Sequence, residues 1–335
     1  MTRSSVTQIE WKNAQEILEK SKTIFLTAHR NPDPDAVGAL LAMYNALLDQ
    51  GKEVYMAVEG KIPNNLHFLK GWDQLGHDFP VAQRPDLIVS LDSDDLSVLG
   101  NAIDQLKPLR SPLLVIDHHH YNEYYGDYHI VNSEYVSTTE ALFDLFQYLN
   151  WPIDKEIAKA LIIGIMSDTQ MFKVGGVNHH TFERTQVLMA TGLDYRALIE
   201  RVFTTVASGH LQLLGRILAR AILQDHVIWS WQTPQDREEL GLDDSFGISA
   251  VDELIKDNQG YIAALFKVKD EHAIKVSLRA IPGFDVGTVA DSLGGGGHIL
   301  AAGCLVKTDS LEEAIEKVVP LLKTAILKGK PKYET

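Results

Sequence analysis

A chain of 335 residues, 45% hydrophobic and 23% charged, has the size and composition of a globular protein with two domains. Its net charge of −14, from 31 basic and 45 acidic residues, argues against long nucleic acid, whose phosphates call for a basic face. The chain shows no apolar run of the ~18–20 residues a membrane helix needs and no signal-peptide core, and its one cysteine, Cys304, leaves neither an intramolecular disulfide nor a cysteine-rich zinc site. A cytoplasmic protein without a membrane partner is expected.

In chain order, "KTIFLTA" reads as a buried strand, and "DAVGALLAMYNALLDQG" carries helical spacing up to Gly51. The strand-like runs "EVYMAV", "DLIVSLD" and "PLLVID" follow. Helical patterns come at "LSVLGNAIDQL", "STTEALFDLFQYLN" and "DKEIAKALIIGIMSD". Apolar strands alternating with helices predict an α/β domain over residues 1–190, a doubly wound and mainly parallel sheet. Residues 191–220 read as a helical connector. Beyond it, "AILQDHVIWSWQ", "GYIAALFKVKD" and "AIKVSLRA" alternate like strands, with "SLEEAIEKVVPLLKTAIL" as a helix beside them. A smaller mixed-sheet α/β domain over 221–335 is the expectation.

Ligands of open parallel sheets bind beyond the carboxyl ends of the strands. In this chain those ends are repeatedly acidic or histidine-rich. "TIFLTA" runs into His29, Asp33 and Asp35; "DLIVSL" into Asp92; "PLLVI" into Asp117, His118, His119 and His120; "ALIIGIMS" into Asp168. Taken singly, each motif also reads as a turn, a helix cap or a solvated cluster. Taken together, four segments deliver metal-type ligands to one sheet edge. Carboxylates and imidazoles without thiolates suit Mn²⁺, Co²⁺, Fe²⁺ or Mg²⁺. The donors outnumber the needs of a single ion with open positions, which predicts two ions sharing a carboxylate, the arrangement used for in-line phosphoryl displacement.

The ordered motifs "HRNPDPDAVGA", "LDSDD", "IDHHH", "GIMSDTQMF" and "GGGGHILAAGC", with "KVSLRA", resemble the DHH phosphoesterase family with its DHH-associated C-terminal domain. The resemblance implies that His29 and Asp33 hold one Mn²⁺, that Asp35, His118 and Asp168 hold the other, and that Asp92 bridges them, with Co²⁺ or Mg²⁺ as possible substitutes. It implies that Asp117 orients the histidines and that His119 stabilises charge on the scissile phosphate. It places Gly295, Gly296, Gly297, His298 and Arg279 in substrate binding, the four-glycine run letting backbone amides approach a phosphate closely. Ala39 stands where members often carry Ser, and His120 where many carry another residue, which reads as a solvated loop histidine. No role is assigned to "STTEALFDL". The implied activity is hydrolysis of short oligoribonucleotides, of 3′-phosphoadenosine 5′-phosphate (pAp), or both, the two domains together limiting substrate length. The alternative is hydrolysis of cyclic di-AMP or pApA. Pyrophosphatase activity and a catalytically silent nucleotide-binding protein rank lower, and a RecJ-like exonuclease would need further domains. Members are often dimeric, so a homodimer is also implied.

Overall fold

The computed structural model describes residues 5–77, 84–100, 107–174, 176–204, 209–242, 250–270, 272–308 and 310–332. The chain forms two compact units, Met1–Thr205 and Val206–Thr335.

The first unit opens with α1 (Gln8–Lys20), whose first turn is closed by a capping box between Thr7 and Glu10. Then come β1 (Thr23–Ala28), α2 (Pro34–Asp49), β2 (Glu53–Ala57), β3 (Leu75–Gly76), β4 (Leu87–Leu91), β5 (Leu113–Asp117) and β6 (Tyr128–Val131). These strands form one sheet in the order β3-β2-β1-β4-β5-β6, every neighbouring pair parallel. Strand β1 shows why its residues are apolar throughout. Ile24, Leu26 and Ala28 face the main core with Val89, Leu91, Leu114 and Ile116, while Phe25 faces the opposite side with Ala57 and Ile88. A strand buried on both faces loses the apolar–polar alternation of a half-exposed one.

Helices α3 (Thr138–Tyr148) and α4 (Lys155–Asp168) complete the main layer around α2. Almost every residue of α2 between Asp35 and Leu47 is buried, Ala39 included. Its approach to α4 is close enough that a Cβ on Gly38 would lie 2.5 Å from the Ala160 carbonyl oxygen. The helical pattern over 96–106 forms a short 3-10 turn at Leu96–Leu99, capped by Asp95 and ended by Gly100 at φ 62°. Residues 101–106 lie outside the described residues. The unit continues through α5 (His179–Ala190) and α6 (Tyr195–Ile199) into a π-helical turn at Glu200–Thr204. The stretch expected to connect the domains, 191–220, divides between the units. Helix α7 (His210–Ala219) belongs to the second, where Leu213 and Ile217 enter a core with Ile228, Val251 and Leu265.

The second unit continues with β7 (Ile222–Gln224), β8 (Val227–Gln232), α8 (Pro234–Glu238), α9 (Ala250–Leu254), β9 (Ile262–Asp270) and β10 (Ala273–Ala280). It ends with α10 (Gly287–Ser292), β11 (Gly296–Gly297), β12 (Ala301–Lys307) and α11 (Leu311–Lys328). Its sheet runs β11-β12-β10-β9-β8-β7, with β8 and β9 parallel and the other pairs antiparallel. Each unit thus has the α/β class expected of it, one sheet parallel and the other mixed. Among the described residues, no helix is long and apolar enough to cross a membrane.

Candidate metal centre

The strand order of the first unit reverses direction between β1 and β4, the point at which open α/β sheets hold their ligands. The loops leaving those two strands and β5 carry the acidic and histidine motifs, and Asp168 ends α4 beside them.

Local structure explains how each side chain is set. Asp33 caps α2: its Oδ1 accepts the amides of Asp35 and Ala36 at 2.9 and 3.0 Å, and Pro34 follows in the first turn with its φ already suited to a helix. The capping and turn reading of "NPDPD" therefore holds alongside any ligand role. Asp35 enters the core with α2 and is fully buried. Asp92 leaves β4 in the left-handed region at φ 55°, which turns its carboxylate into the site while 2% of the residue stays exposed. Asp117 ends β5 fully buried, accepting from Asn122 Nδ2 at 2.7 Å and meeting His119 Nδ1 at 2.7 Å.

Three overlapping groups of donors result. In each of them the ligand atoms lie within 4.8 Å of one another: His29, Asp33 and Asp92; Asp35, His118 and Asp168; Asp92, His118 and His119. His29 Nε2 lies 3.5 Å from Asp92 Oδ2 and 3.9 Å from Asp33 Oδ1. His118 Nε2 lies 3.6 Å from Asp92 Oδ1 and 3.2 Å from Asp168 Oδ2. Asp92 joins the first group to the third, and His118 joins the third to the second. His119 is 3.8 Å from Asp92 but is committed at its other contact to Asp117. His120 is exposed, its ring edge-on to Tyr121.

The electrostatics are those of a centre built around positive charge. Burial drives the Asp35 carboxyl well above its usual range, and the charges of Asp168 and Asp92 push it the same way. Burial also raises Asp168, to about 6, although His118 opposes it. Burial disfavours a charge on His29, yet Asp33 and Asp92 outweigh it and hold the imidazole up to about 11. Burial likewise opposes charging of His118, and Asp168 and Asp92 overcome it. Carboxylates crowded this closely repel one another unless cations sit among them. Histidines and oxygen donors with this spacing suit one or two divalent transition-metal ions.

The sequence reading gave no role to "STTEALFDL", and the structure supplies one. Ser137 caps α3, and its Oγ accepts the Glu140 amide at 3.1 Å. The next free amides, of Thr138 and Thr139, donate to Asp35 Oδ2 and Oδ1 at 2.7 and 3.1 Å, and Thr139 Oγ1 donates to Oδ1 at 2.7 Å. Thr138 Oγ1 donates to Asp92 Oδ1 at 2.9 Å. A buried carboxylate thus rests on a helix N-terminus, where the dipole and the unpaired amides favour an anion. Ser-Thr-Thr-Glu is visible in the sequence as a helix start; that its amides serve a residue more than a hundred positions earlier is not. Arg184 then anchors α3, donating to Glu140 Oε1 at 3.1 Å and to both oxygens of Asp144 at 2.8 and 2.6 Å.

These contacts make a prediction. Thr139→Val removes one donor from Asp35 while keeping the shape of the side chain. The Mn²⁺ concentration for half-saturation in calorimetry should rise about 10-fold or more, the usual scale for a partner that orients a metal ligand. An unchanged affinity would mean that the two amides alone hold Asp35.

The expected substrate-binding residues lie in the second unit. Arg279, in β10, donates Nε to Asp252 Oδ1 at 2.6 Å and NH1 to the Leu278 carbonyl at 3.0 Å, so its guanidinium is already engaged. The glycine run is built into the sheet: Gly296 and Gly297 form β11 against Gly303 and Ala302. A Cβ on Gly295 would meet the Gly303 carbonyl oxygen at 2.2 Å, and Gly297 sits at φ 134°. Close packing and backbone conformation therefore require glycine at both positions, whatever they bind. His298 follows in the turn into β12, exchanging backbone hydrogen bonds with Ala301. Ala301 is also the register partner of Arg279, so His298 and Arg279 lie at the same end of this sheet.

Comparison with known proteins places these features among relatives. The bifunctional oligoribonuclease and PAP phosphatase NrnA of Thermus thermophilus is 28% identical over 328 residues, 95% of this chain and 96% of the relative. The cyclic-di-AMP phosphodiesterase GdpP of Bacillus subtilis is 24% identical over 91% of this chain, which spans only 48% of that longer relative. The crystal structure of an exopolyphosphatase-related protein from Bacteroides fragilis superposes with a TM-score of 0.89 at 24% identity, covering 96% of this chain and 98% of that one, and shares its fold. Residues 23–165 match the DHH family N-terminal domain and residues 247–324 match the DHHA1 domain. The chain therefore carries a DHH family N-terminal domain, which holds most of the donor cluster, and a DHHA1 domain in its second unit.

Proposed function

We propose that this chain is a two-metal phosphoesterase that hydrolyses short oligoribonucleotides and pAp. The observation that carries the reading is the set of three overlapping donor groups joined through Asp92 and His118. The donors fit two divalent ions: His29 and Asp33 for one, Asp35, His118 and Asp168 for the other, and Asp92 for both. Mn²⁺ matches the mixture of imidazole and carboxylate best, with Co²⁺ or Mg²⁺ as substitutes. Bound there, the pair would supply Lewis-acid activation of a water nucleophile and neutralise charge on the phosphoryl oxygens.

The chain's own residues do the remaining work. Thr138 and Thr139 keep Asp35 and Asp92 in place before substrate arrives. Burial disfavours a charge on His119, but Asp117 outweighs it and raises the imidazole above its usual range. The cationic form is thereby favoured, and with one ring nitrogen held by Asp117 the other is proposed to donate to a phosphate oxygen. A preorganised cation at that point opposes the charge developing in the transition state. Arg279, Gly295, Gly296, Gly297 and His298 are proposed to receive the nucleotide at the far end of the substrate. For Arg279 to do so, substrate must compete with Asp252. An acidic chain with such a centre suits a small polyanion and not a long strand.

The name and full-length coverage of the Thermus relative support this reading over the alternatives. The similarity to GdpP keeps cyclic di-AMP and pApA as the second reading. The DHHA1 match weighs against a pyrophosphatase, and the complete donor set weighs against a silent binding protein.

The test is product formation with Mn²⁺ on RNAs of two to twenty-four nucleotides, pAp, pApA, cyclic di-AMP and pyrophosphate. Rates highest on the shortest RNAs and on pAp, falling steeply with length, are expected. Preference for the cyclic dinucleotide would select the second reading, and absence of turnover on every substrate with ions bound would overturn both.

A further inference from the structure

Helix α5 begins with a second cluster of metal-type donors, none of which belongs to the centre described above. His179, His180 and Glu183 each offer a ligand atom, all within 4.8 Å of one another, and all three residues are exposed. We propose that they form a separate site for one divalent transition-metal ion of the Zn²⁺, Ni²⁺ or Cu²⁺ class.

The geometry follows from helix spacing. Glu183 is four residues after His179 and three after His180, and residues so separated share one helix face. Helix-borne metal sites use the same spacings for histidine and carboxylate ligands. The Asn178 side chain caps the helix by accepting the His180 amide at 2.9 Å, which fixes the turn carrying both histidines. Their rings lie 3.8 Å apart between centroids, and His180 Nδ1 is 2.9 Å from Glu183 Oε2.

Donors around a tetrahedral ion stand about 3.3 Å apart. Exposed side chains can close the remaining gap by small rotamer changes. Two imidazoles and a single carboxylate select Zn²⁺, Ni²⁺ or Cu²⁺ over Mg²⁺ or Mn²⁺, a different preference from the carboxylate-rich main centre. The positive end of the helix opposes a cation, so this site fills after the main one. Three protein donors also leave coordination positions open to solvent or a small ligand.

The experiment counts ions on the full chain. Wild type, His179→Ala/His180→Ala and Glu183→Gln are dialysed against Ni²⁺, and bound metal is measured together with the imidazole NMR signals. Wild type is expected to bind one more Ni²⁺ than the double variant, with the resonances of His179 and His180 lost or shifted on binding. Glu183→Gln should weaken that last ion about 10-fold or more. Equal metal content in all three proteins at saturating Ni²⁺ would overturn the site. Because the count is a difference between chains that share the main centre, it stands whether or not the proposed activity does. The substituted residues are exposed, so thermal midpoints and Mn²⁺-supported turnover should match wild type.

Discussion

Asp92→Asn should lower Mn²⁺-supported turnover by more than ~10²-fold, the scale at which even indirect partners of a metal site act. Asp92 is the residue that the groups around His29 and His118 have in common, so neutralising it weakens both at once. Asn is chosen over Ala for a backbone reason. Position 92 has φ 55°, a conformation that Asn tolerates and that costs most other residues ~1 kcal/mol or more. An Ala variant would therefore mix lost chemistry with lost stability. The Asn variant keeps the shape and the contact with Thr138 Oγ1, and its thermal midpoint without metal should remain within a few degrees of wild type. Residual activity above about a tenth of wild type would be incompatible with a shared ligand at this position.

Gly164→Ala tests the packing behind the centre, where two ordinary expectations conflict. Helix propensity alone makes Ala at an α4 position more stable than Gly by ~1 kcal/mol. At this position the added Cβ would lie 2.2 Å from Asp35 Oδ1, 2.3 Å from Thr139 Oγ1 and 2.6 Å from Thr139 Cγ2. All of these atoms are buried, and Asp35 is held by three hydrogen bonds that cannot be kept if it moves. Overpacking of this kind costs ~1–3 kcal/mol, and a buried carboxylate that loses its donors adds to the cost. The clash wins. The variant should melt several degrees lower, and its Mn²⁺ requirement should rise by ~10-fold or more. Gly38→Ala serves as a control on the same helix pair. Its Cβ would meet the Ala160 carbonyl oxygen at 2.5 Å and Thr139 Cγ2 only at 3.3 Å, with no Asp35 oxygen among its three nearest atoms, so it should lose stability with a smaller change in Mn²⁺ requirement. Equal metal affinity in wild type and Gly164→Ala would show that Asp35 can shift without consequence.

How much of this was legible in the sequence depends on the kind of information each feature needs. The parallel sheet was legible because its central strands are apolar on both faces, as Phe25 and Leu26 show by packing into different cores. The donor residues were legible because each follows a strand or ends a helix in an open α/β pattern, which already confines them to one edge. Short or exposed elements were less so. Strand β6 is four residues long, half-buried and placed at a sheet edge, and its sequence carries no strong alternation. The capping box of α1 was present in Thr7 and Glu10, but the helix buries only Ala14 and Leu18, which leaves a thin apolar stripe.

The sequence by itself determined which chemistry is available: carboxylates and imidazoles at four strand or helix ends, one cysteine, an acidic total, and glycines at 294–297. Those properties are local, written in residue types and their spacing. The tertiary structure alone decided which donors share an atom's reach, and which are spoken for. It brought Thr138 and Thr139 onto Asp35 across a separation of 103 and 104 residues. It engaged Arg279 with Asp252 and turned part of the glycine run into an edge strand. The reason is physical: a carboxylate's partners are set by packing between distant elements, and spacing along the chain carries no record of that distance.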